Sequence, residues 1–174
     1  HRKFTAKDYT AALADYQAAL QYPENLEVTR GYRGSRAPEV FYYTGLTHAA
    51  LGNQEAAKKD WRESAAELIG TEDTPRATVD SGAVLVYHQA LSLNKLGQTA
   101  RAKGLFASLA AAAAKAETRP AGQEFFAKFG ERQSPRARLA MAHYVGGLAA
   151  QGTGEAADAI GLEQVPRAVG FRDE

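Results

Sequence analysis

A recurring interval of 45 residues is the feature that most constrains how this chain folds. The interval relates four kinds of position: a small residue, a bulky ring, a second small or aliphatic residue, and a glycine. The members are Ala12, Ala57 and Ala102; Tyr16, Trp61 and Phe106; Ala19, Ser64 and Leu109; and Gly52 and Gly97. Self-similarity at a period of about 20 to 50 residues indicates stacked copies of one supersecondary unit. We therefore predict that copies of one unit pack side by side.

Each unit is predicted to be a pair of short helices, and the clearest copy runs from Pro38 to Ser64. Residues three or four apart share one face of a helix. The shared faces carry Phe41, Gly45 and His48 in the first helix, and Ala57, Trp61 and Ser64 in the second. Gly52 separates the helices, because a residue without Cβ readily takes the left-handed conformation of a helix stop. Such a pair cannot bury its apolar faces alone, so it needs neighbouring copies.

The same interval predicts the remaining helices. They are 4–22, Val79–Leu96 and Thr99–Glu117, and a last pair over Pro135–Gln151 and Glu155–Ile160. The last copy is aligned 55 residues after the third, with Gly152 as its helix break and Ala157 as its small residue. Residues 4–22 correspond to a second helix whose first helix is missing. We therefore expect the parent protein to continue before His1.

These residues resemble a known family. Asp8, Tyr9, Ala12, Tyr16, Ala19 and Pro23 are similar to the second helix of a tetratricopeptide (TPR) repeat, and Phe41, Gly45, Gly52, Ala57 and Trp61 to nearly a whole repeat. The resemblance covers most of the chain. It implies an all-α fold, a right-handed α-α superhelix of TPR-like hairpins forming one domain over residues 1–174. The chain departs from the family in its period, usually about 34 residues, which implies long inter-repeat loops, and in Thr44, where the family has leucine.

A second resemblance concerns two short segments, residues 22–26 and 125–134. They are similar to the C-terminal helical region of long bacterial proteins, uncharacterised or carbohydrate-associated, that carry a β-rich N-terminal part. This resemblance implies that the chain is a C-terminal fragment of a larger protein.

Composition excludes several classes of function. The 21 Lys and Arg residues balance 20 Asp and Glu residues, so no global field attracts nucleic acid or an anionic membrane. The absence of cysteine excludes disulfides, thiolate catalysis and cysteine metal sites. No apolar run approaches the roughly 20 residues of a membrane span. We expect a cytoplasmic protein, monomeric, with neither nucleic acid nor membrane as a partner.

No sequence motif indicates an enzyme. The chain lacks a phosphate-binding loop, a His-Glu-x-x-His stretch and a nucleophile motif. The candidate metal ligands are His48, His88 and His143, but they belong to three different predicted repeats. Packed helices lie roughly 10 Å apart, whereas zinc ligands lie about 2 Å from the ion. We therefore predict no catalytic residue, no cofactor and no metal site.

A ladder of rings is the best functional clue. Tyr42-Tyr43, Tyr87-His88 and His143-Tyr144 stand at equivalent places on the first helices of three hairpins. In TPR-like stacks the first helices line a concave groove, so the resemblance implies a groove lined by Tyr42, Leu46, Tyr87, Leu91, Asn94, Lys95 and His143. Amphipathic rings suit an extended peptide, a neighbouring domain or a sugar. Tyrosines in helical repeats are equally often core residues whose hydroxyls reach water.

Two functional interpretations follow. The first is a non-catalytic scaffold that binds a protein segment, or an upstream domain of the same chain, in its concave groove. The second is an accessory C-terminal domain of a larger carbohydrate-active bacterial enzyme. They differ in what occupies the groove, which is an exchangeable partner in the first case and the parent's own upstream domain in the second.

Overall fold

The fold was analysed in a computed structural model, which describes residues 1–20, 37–66, 79, 82–118 and 135–154. These residues form seven α-helices and no strand, so the predicted all-α class is confirmed for them. The helices are α1 (Arg2–Thr5), α2 (Tyr9–Ala19), α3 (Ala37–Ala50), α4 (Gln54–Ser64), α5 (Gly82–Lys95), α6 (Thr99–Glu117) and α7 (Pro135–Thr153). Within these ranges, none of the helices combines the length and the apolarity that crossing a bilayer requires.

The helices pack in a regular order along the chain. Helices α3 and α4 are joined by a short connection and pack against each other. Helices α5 and α6 do the same. Helix α5 also contacts both α3 and α4, and α7 likewise contacts both α5 and α6. Helix α2 packs on α3, and α1 lies on α2. Helices α5 and α7 therefore each contact the two helices that precede them in the described part of the chain.

The two predicted helix breaks are confirmed. Gly52 and Gly97 have φ angles of 82° and 79°, the left-handed conformation that glycine adopts without a steric penalty. Past each glycine the next backbone N–H reaches back to the helix: Asn53 N donates to His48 O at 2.8 Å, and Gln98 N donates to Leu93 O at 2.9 Å. These bonds satisfy carbonyls that the helix end would otherwise leave unpaired.

The prediction of one helix over residues 4–22 is wrong at its start. Helix α1 ends at Thr5, and α2 begins only at Tyr9. The Asp8 carboxylate accepts a hydrogen bond from Ala11 N at 3.2 Å, which caps the start of α2. Lys7, at the corner between the two helices, has a φ of 63°. A cap and a left-handed residue thus interrupt what the apolar periodicity predicted as continuous.

The register of the last copy also needs correction. Gly152 was predicted to end its first helix, but α7 continues to Thr153, and Gly154 has the left-handed φ of 83°. Gly152 instead lies inside α7, where the ring of Phe106 occupies the space that a Cβ would need. The break glycine therefore comes 57 residues after Gly97, not 55. The predicted partner helix over 155–160 and the segments 22–26 and 125–134 lie outside the described residues.

The three rings that share the 45-residue interval are all buried. Phe106 is fully enclosed, Trp61 is 6% exposed and Tyr16 is 9% exposed. The Trp61 ring fills the space beside Gly45 of α3, and its Nε1 donates to Tyr42 O at 3.3 Å. Phe106 packs against Gly152 of α7 and lies 6.0 Å from the ring of Tyr87. The rings of Trp61 and Phe106 thus each fill the space beside a glycine of a neighbouring helix.

Candidate functional site

Aromatic side chains of α3 and α5 meet on one side of the chain, and the phenol of Tyr144 on α7 lies near them. We call this set the tyrosine face and define it as Tyr42 and Tyr43 of α3, Tyr87 and His88 of α5, and Tyr144 of α7. Ring centroids of Tyr42 and His88 lie 5.7 Å apart, and those of Tyr43 and His88 lie 5.8 Å apart. Within each helix the adjacent rings lie 5.3 Å apart with their planes steeply inclined. The His88 imidazole therefore joins the rings of α3 to those of α5.

The sequence explains this convergence. Adjacent aromatic residues on a helix point about 100° apart, since an α-helix has about 3.6 residues per turn. The pair Tyr42-Tyr43 and the pair Tyr87-His88 therefore each cover a wide stripe of their helices. Because α3 packs on α5, the stripes meet edge to edge. Inclined contacts at these separations are the arrangement that ring quadrupoles favour.

Two hydrogen bonds fix the rings of α5. The Tyr87 hydroxyl donates to Gln151 Oε1 of α7 at 3.0 Å. His88 Nδ1 lies 2.8 Å from Val84 O, and because a carbonyl oxygen only accepts, Nδ1 carries the proton. In the neutral imidazole Nε2 is then the acceptor. The Tyr87 ring is only 8% exposed, so it contributes to the core as well as to the face.

Burial favours the neutral forms of Tyr42, Tyr43, Tyr87 and His88. It raises the pKa of Tyr42 to about 12, with smaller contributions from the phenols of Tyr43 and Tyr87. Burial likewise raises the pKa values of Tyr43 and Tyr87, and the nearby Tyr144 phenol adds to both shifts. Burial lowers the pKa of His88, because the desolvated imidazole loses hydration of its cationic form. At neutral pH the face offers phenolic O–H donors and apolar rings.

The predicted groove residues are only partly brought together. Tyr42 and Tyr87 lie in the tyrosine face, on either side of His88. Leu46 and Leu91 are partly buried one turn further along α3 and α5. Asn94 is partly buried, and its Oδ1 has no hydrogen-bond partner among the described residues. Lys95 is exposed at the end of α5.

His143 takes part in a different contact. It is exposed, and its Nδ1 lies 3.2 Å from Glu117 Oε1 of α6. Its neighbour Tyr144 is 51% exposed and is the residue of α7 whose phenol acts on Tyr43 and Tyr87. The groove predicted from the sequence did not include Tyr43, His88 or Tyr144.

The corrected register contains the signal for Tyr144. Tyr42, Tyr87 and Tyr144 each stand ten residues before a glycine with left-handed φ. Those glycines are Gly52, Gly97 and Gly154. A break at Gly152 would place Ala142 at this spacing, and His143 lies only nine residues before Gly152. Spacing measured from Gly154 indicates Tyr144 instead.

The three histidines considered as candidate metal ligands each interact with a different group. His48 Nε2 lies 3.7 Å from Asp60 Oδ2 between α3 and α4, His88 bonds to its own helix, and His143 pairs with Glu117. In the part of the chain that the structure describes, no three residues of types His, Cys, Asp and Glu are grouped to hold a metal ion.

Comparison with protein-family models, with curated proteins and with solved structures found no match for this chain.

Proposed function

We propose that the chain is a non-catalytic interaction scaffold whose tyrosine face binds an extended segment of a protein partner. In this proposal the helix pairs are TPR-like hairpins stacked as a right-handed superhelix, and α3, α5 and α7 are the first helices that line its concave side. The packing order supports this arrangement, because α5 and α7 each contact both helices of the preceding pair.

The observation that carries the proposal is the convergence of neutral phenols from three helices. The phenols of Tyr43 and Tyr87 lie close enough to raise the pKa of Tyr42, and the Tyr144 phenol lies close enough to raise the pKa values of Tyr43 and Tyr87. An extended peptide presents carbonyl oxygens at regular intervals, and phenolic O–H groups are suitable donors to them. The rings add flat apolar area, and Tyr is enriched at the centres of protein interfaces. With no charge of their own, the rings suit a backbone-led interaction.

Selection from a peptide library tests this proposal. Peptides that bind the immobilised chain are identified, and their affinities are measured by isothermal titration calorimetry against the chain and its variants. We expect Tyr144→Ala to weaken binding by about tenfold or more, the cost of removing an interfacial tyrosine. Tyr144→Phe keeps the ring and removes the hydroxyl, so its affinity should lie between those of the unmodified chain and Tyr144→Ala.

Leu139→Ala is the matched control. Leu139 also lies on α7 and is 44% exposed, comparable to Tyr144 at 51%. It is not part of the tyrosine face, so its truncation should leave affinity unchanged. Selected peptides that bind Tyr144→Ala and Tyr42→Ala as tightly as the unmodified chain would show that the partner binds elsewhere.

A further inference from the structure

Helix α1 lies against one end of the tyrosine face. The ring of His1 lies 4.7 Å from the ring of Tyr43, and the ring of Phe4 lies 6.3 Å from it. His1 Nδ1 also lies 3.3 Å from the hydroxyl of Tyr16, whose ring stacks on Tyr43 at 5.9 Å. A segment of this chain therefore already contacts the aromatic surface that is proposed to bind a partner.

An ion pair also joins the same segment to α2. Lys3 Nζ lies 2.7 Å from Asp15 Oδ1 of α2. The carboxylate of Glu39 also lies near Tyr43, where it adds to the effect of burial in raising the pKa of that phenol. Residues 1–7 read His-Arg-Lys-Phe-Thr-Ala-Lys, a basic sequence around one phenylalanine. Basic and aromatic groups of the segment thus meet acidic and aromatic groups of the surface.

The backbone that folds α1 onto α2 is strained. Lys7 has a φ of 63°, a left-handed conformation that is unfavourable for a residue with a Cβ. The contacts of α1 offset this cost while the segment is closed. Release of the segment would allow Lys7 to relax to negative φ, so the backbone at Lys7 favours the open state.

From these contacts we propose that residues 1–5 are an intramolecular ligand that covers the Tyr43 end of the tyrosine face. The proposal rests on the proposed function of that face and identifies the partner by chemistry. The partner is a peptide segment that carries an aromatic residue flanked by basic residues, and it binds by displacing α1. The open form of the chain is the form that binds.

The test uses two synthetic peptides and the full chain. One peptide has the sequence of residues 1–7, and the other replaces its phenylalanine by alanine. Lys3→Glu opens the segment, because it turns the contact with Asp15 into a repulsion. Arg2→Glu is the matched control: it makes the same change of charge in the same segment, and Arg2 forms no ion pair among the described residues. Both side chains are on the surface, so circular dichroism should show an unchanged fold.

Calorimetry should show that the phenylalanine peptide binds Lys3→Glu about tenfold more tightly than it binds the unmodified chain or Arg2→Glu. Apparent affinity falls in proportion to the open fraction, so a chain that is about 90% closed shows a tenfold effect. Phe4→Ala, which removes the covering ring, should behave like Lys3→Glu. The alanine peptide should bind all forms weakly.

Equal affinities of Lys3→Glu and Arg2→Glu would overturn the proposal, and so would equal binding of the two peptides. These outcomes differ from failure of the scaffold function. If no library peptide binds the unmodified chain but the phenylalanine peptide binds Lys3→Glu, α1 is an intramolecular ligand without a known partner. If library peptides bind through Tyr144 and opening α1 changes nothing, the scaffold stands and α1 has no regulatory role.

Discussion

At the scale of single residues, glycines in this chain have different physical roles. A Cβ built on Gly152 would overlap the ring of Phe106, which is fully buried. On Gly147, in the same helix, a Cβ would meet nothing within 4 Å. The first glycine allows a close approach between α6 and α7, whereas the second only reduces the helix propensity of α7.

Alanine substitutions at these two positions should therefore change stability in opposite directions. We expect Gly152→Ala to lower the free energy of unfolding by about 1–3 kcal/mol, the usual cost of overpacking. Gly147→Ala should raise it by up to about 1 kcal/mol, the difference in helix propensity between the two residues. Urea denaturation followed by circular dichroism measures both. Destabilisation of equal size at both sites would contradict the role assigned to Phe106.

At the scale of helices, two buried hydroxyls join three elements. Ser64 at the end of α4 donates to Pro38 O at the start of α3 at 2.8 Å. Ser92 of α5 donates to Ser64 Oγ, also at 2.8 Å. Both side chains are almost completely buried. The Ser64 oxygen is therefore donor to one helix and acceptor from another, which fixes α5 against the α3–α4 pair.

Removal of the central hydroxyl should cost more than removal of the outer one. Ser64→Ala leaves both Pro38 O and the Ser92 hydroxyl buried without a partner, so we expect a loss of about 1–3 kcal/mol. Ser92→Ala leaves the Ser64 donor bond intact and should cost less. In the double variant no hydroxyl donor is orphaned, and its loss should be smaller than the sum of the single losses. Thermal and urea unfolding of the three variants provide the measurement.

The sequence predicts helices well where one pattern acts alone. Periodic small residues and break glycines were enough for α3, α4, α5 and α6, because a left-handed glycine ends a helix whatever its neighbours do. They were not enough at α2 and α7. The Asp8 cap competes with an apolar pattern that continues through it, and Gly152 and Gly154 are indistinguishable until the position of the Phe106 ring is known.

At the scale of the whole molecule, four tyrosines with raised pKa values make the free energy of unfolding fall at alkaline pH. Tyr16, Tyr42, Tyr43 and Tyr87 come from α2, α3 and α5, and burial raises the pKa of each. The unfolded chain then loses its phenolic protons at a lower pH than the folded chain does. Stability from these groups is therefore complete below the ordinary tyrosine pKa of about 10 and is lost as pH rises above it.

We expect the free energy of unfolding to fall between about pH 10 and pH 12, the latter being the pKa of folded Tyr42. Tyr42→Phe has no phenol at this position, so its stability should fall less steeply over the same range. Urea titrations at several alkaline pH values compare the two slopes. Parallel slopes for the two proteins would show that Tyr42 does not contribute to the alkaline transition.

The candidate site was less predictable than the fold. The sequence identified the ladder and placed Tyr42 and Tyr87 in it, because spacing alone puts both on first helices. It could not identify His88 as the ring that joins them, since that depends on how closely α3 and α5 pack. The covering of Tyr43 by His1 and Phe4 was also inaccessible, because a left-handed lysine is not a recognisable turn signal.

The chain has a single tryptophan, Trp61, which is hydrogen-bonded to the backbone of a residue in the proposed binding surface. The Trp61 indole is buried against Gly45 and bonded to the backbone oxygen of Tyr42. Its emission spectrum is therefore an unlabelled optical reporter of the α3–α4 junction. Excitation of this one chromophore gives a signal for events at Tyr42 without interference from a second indole elsewhere in the chain.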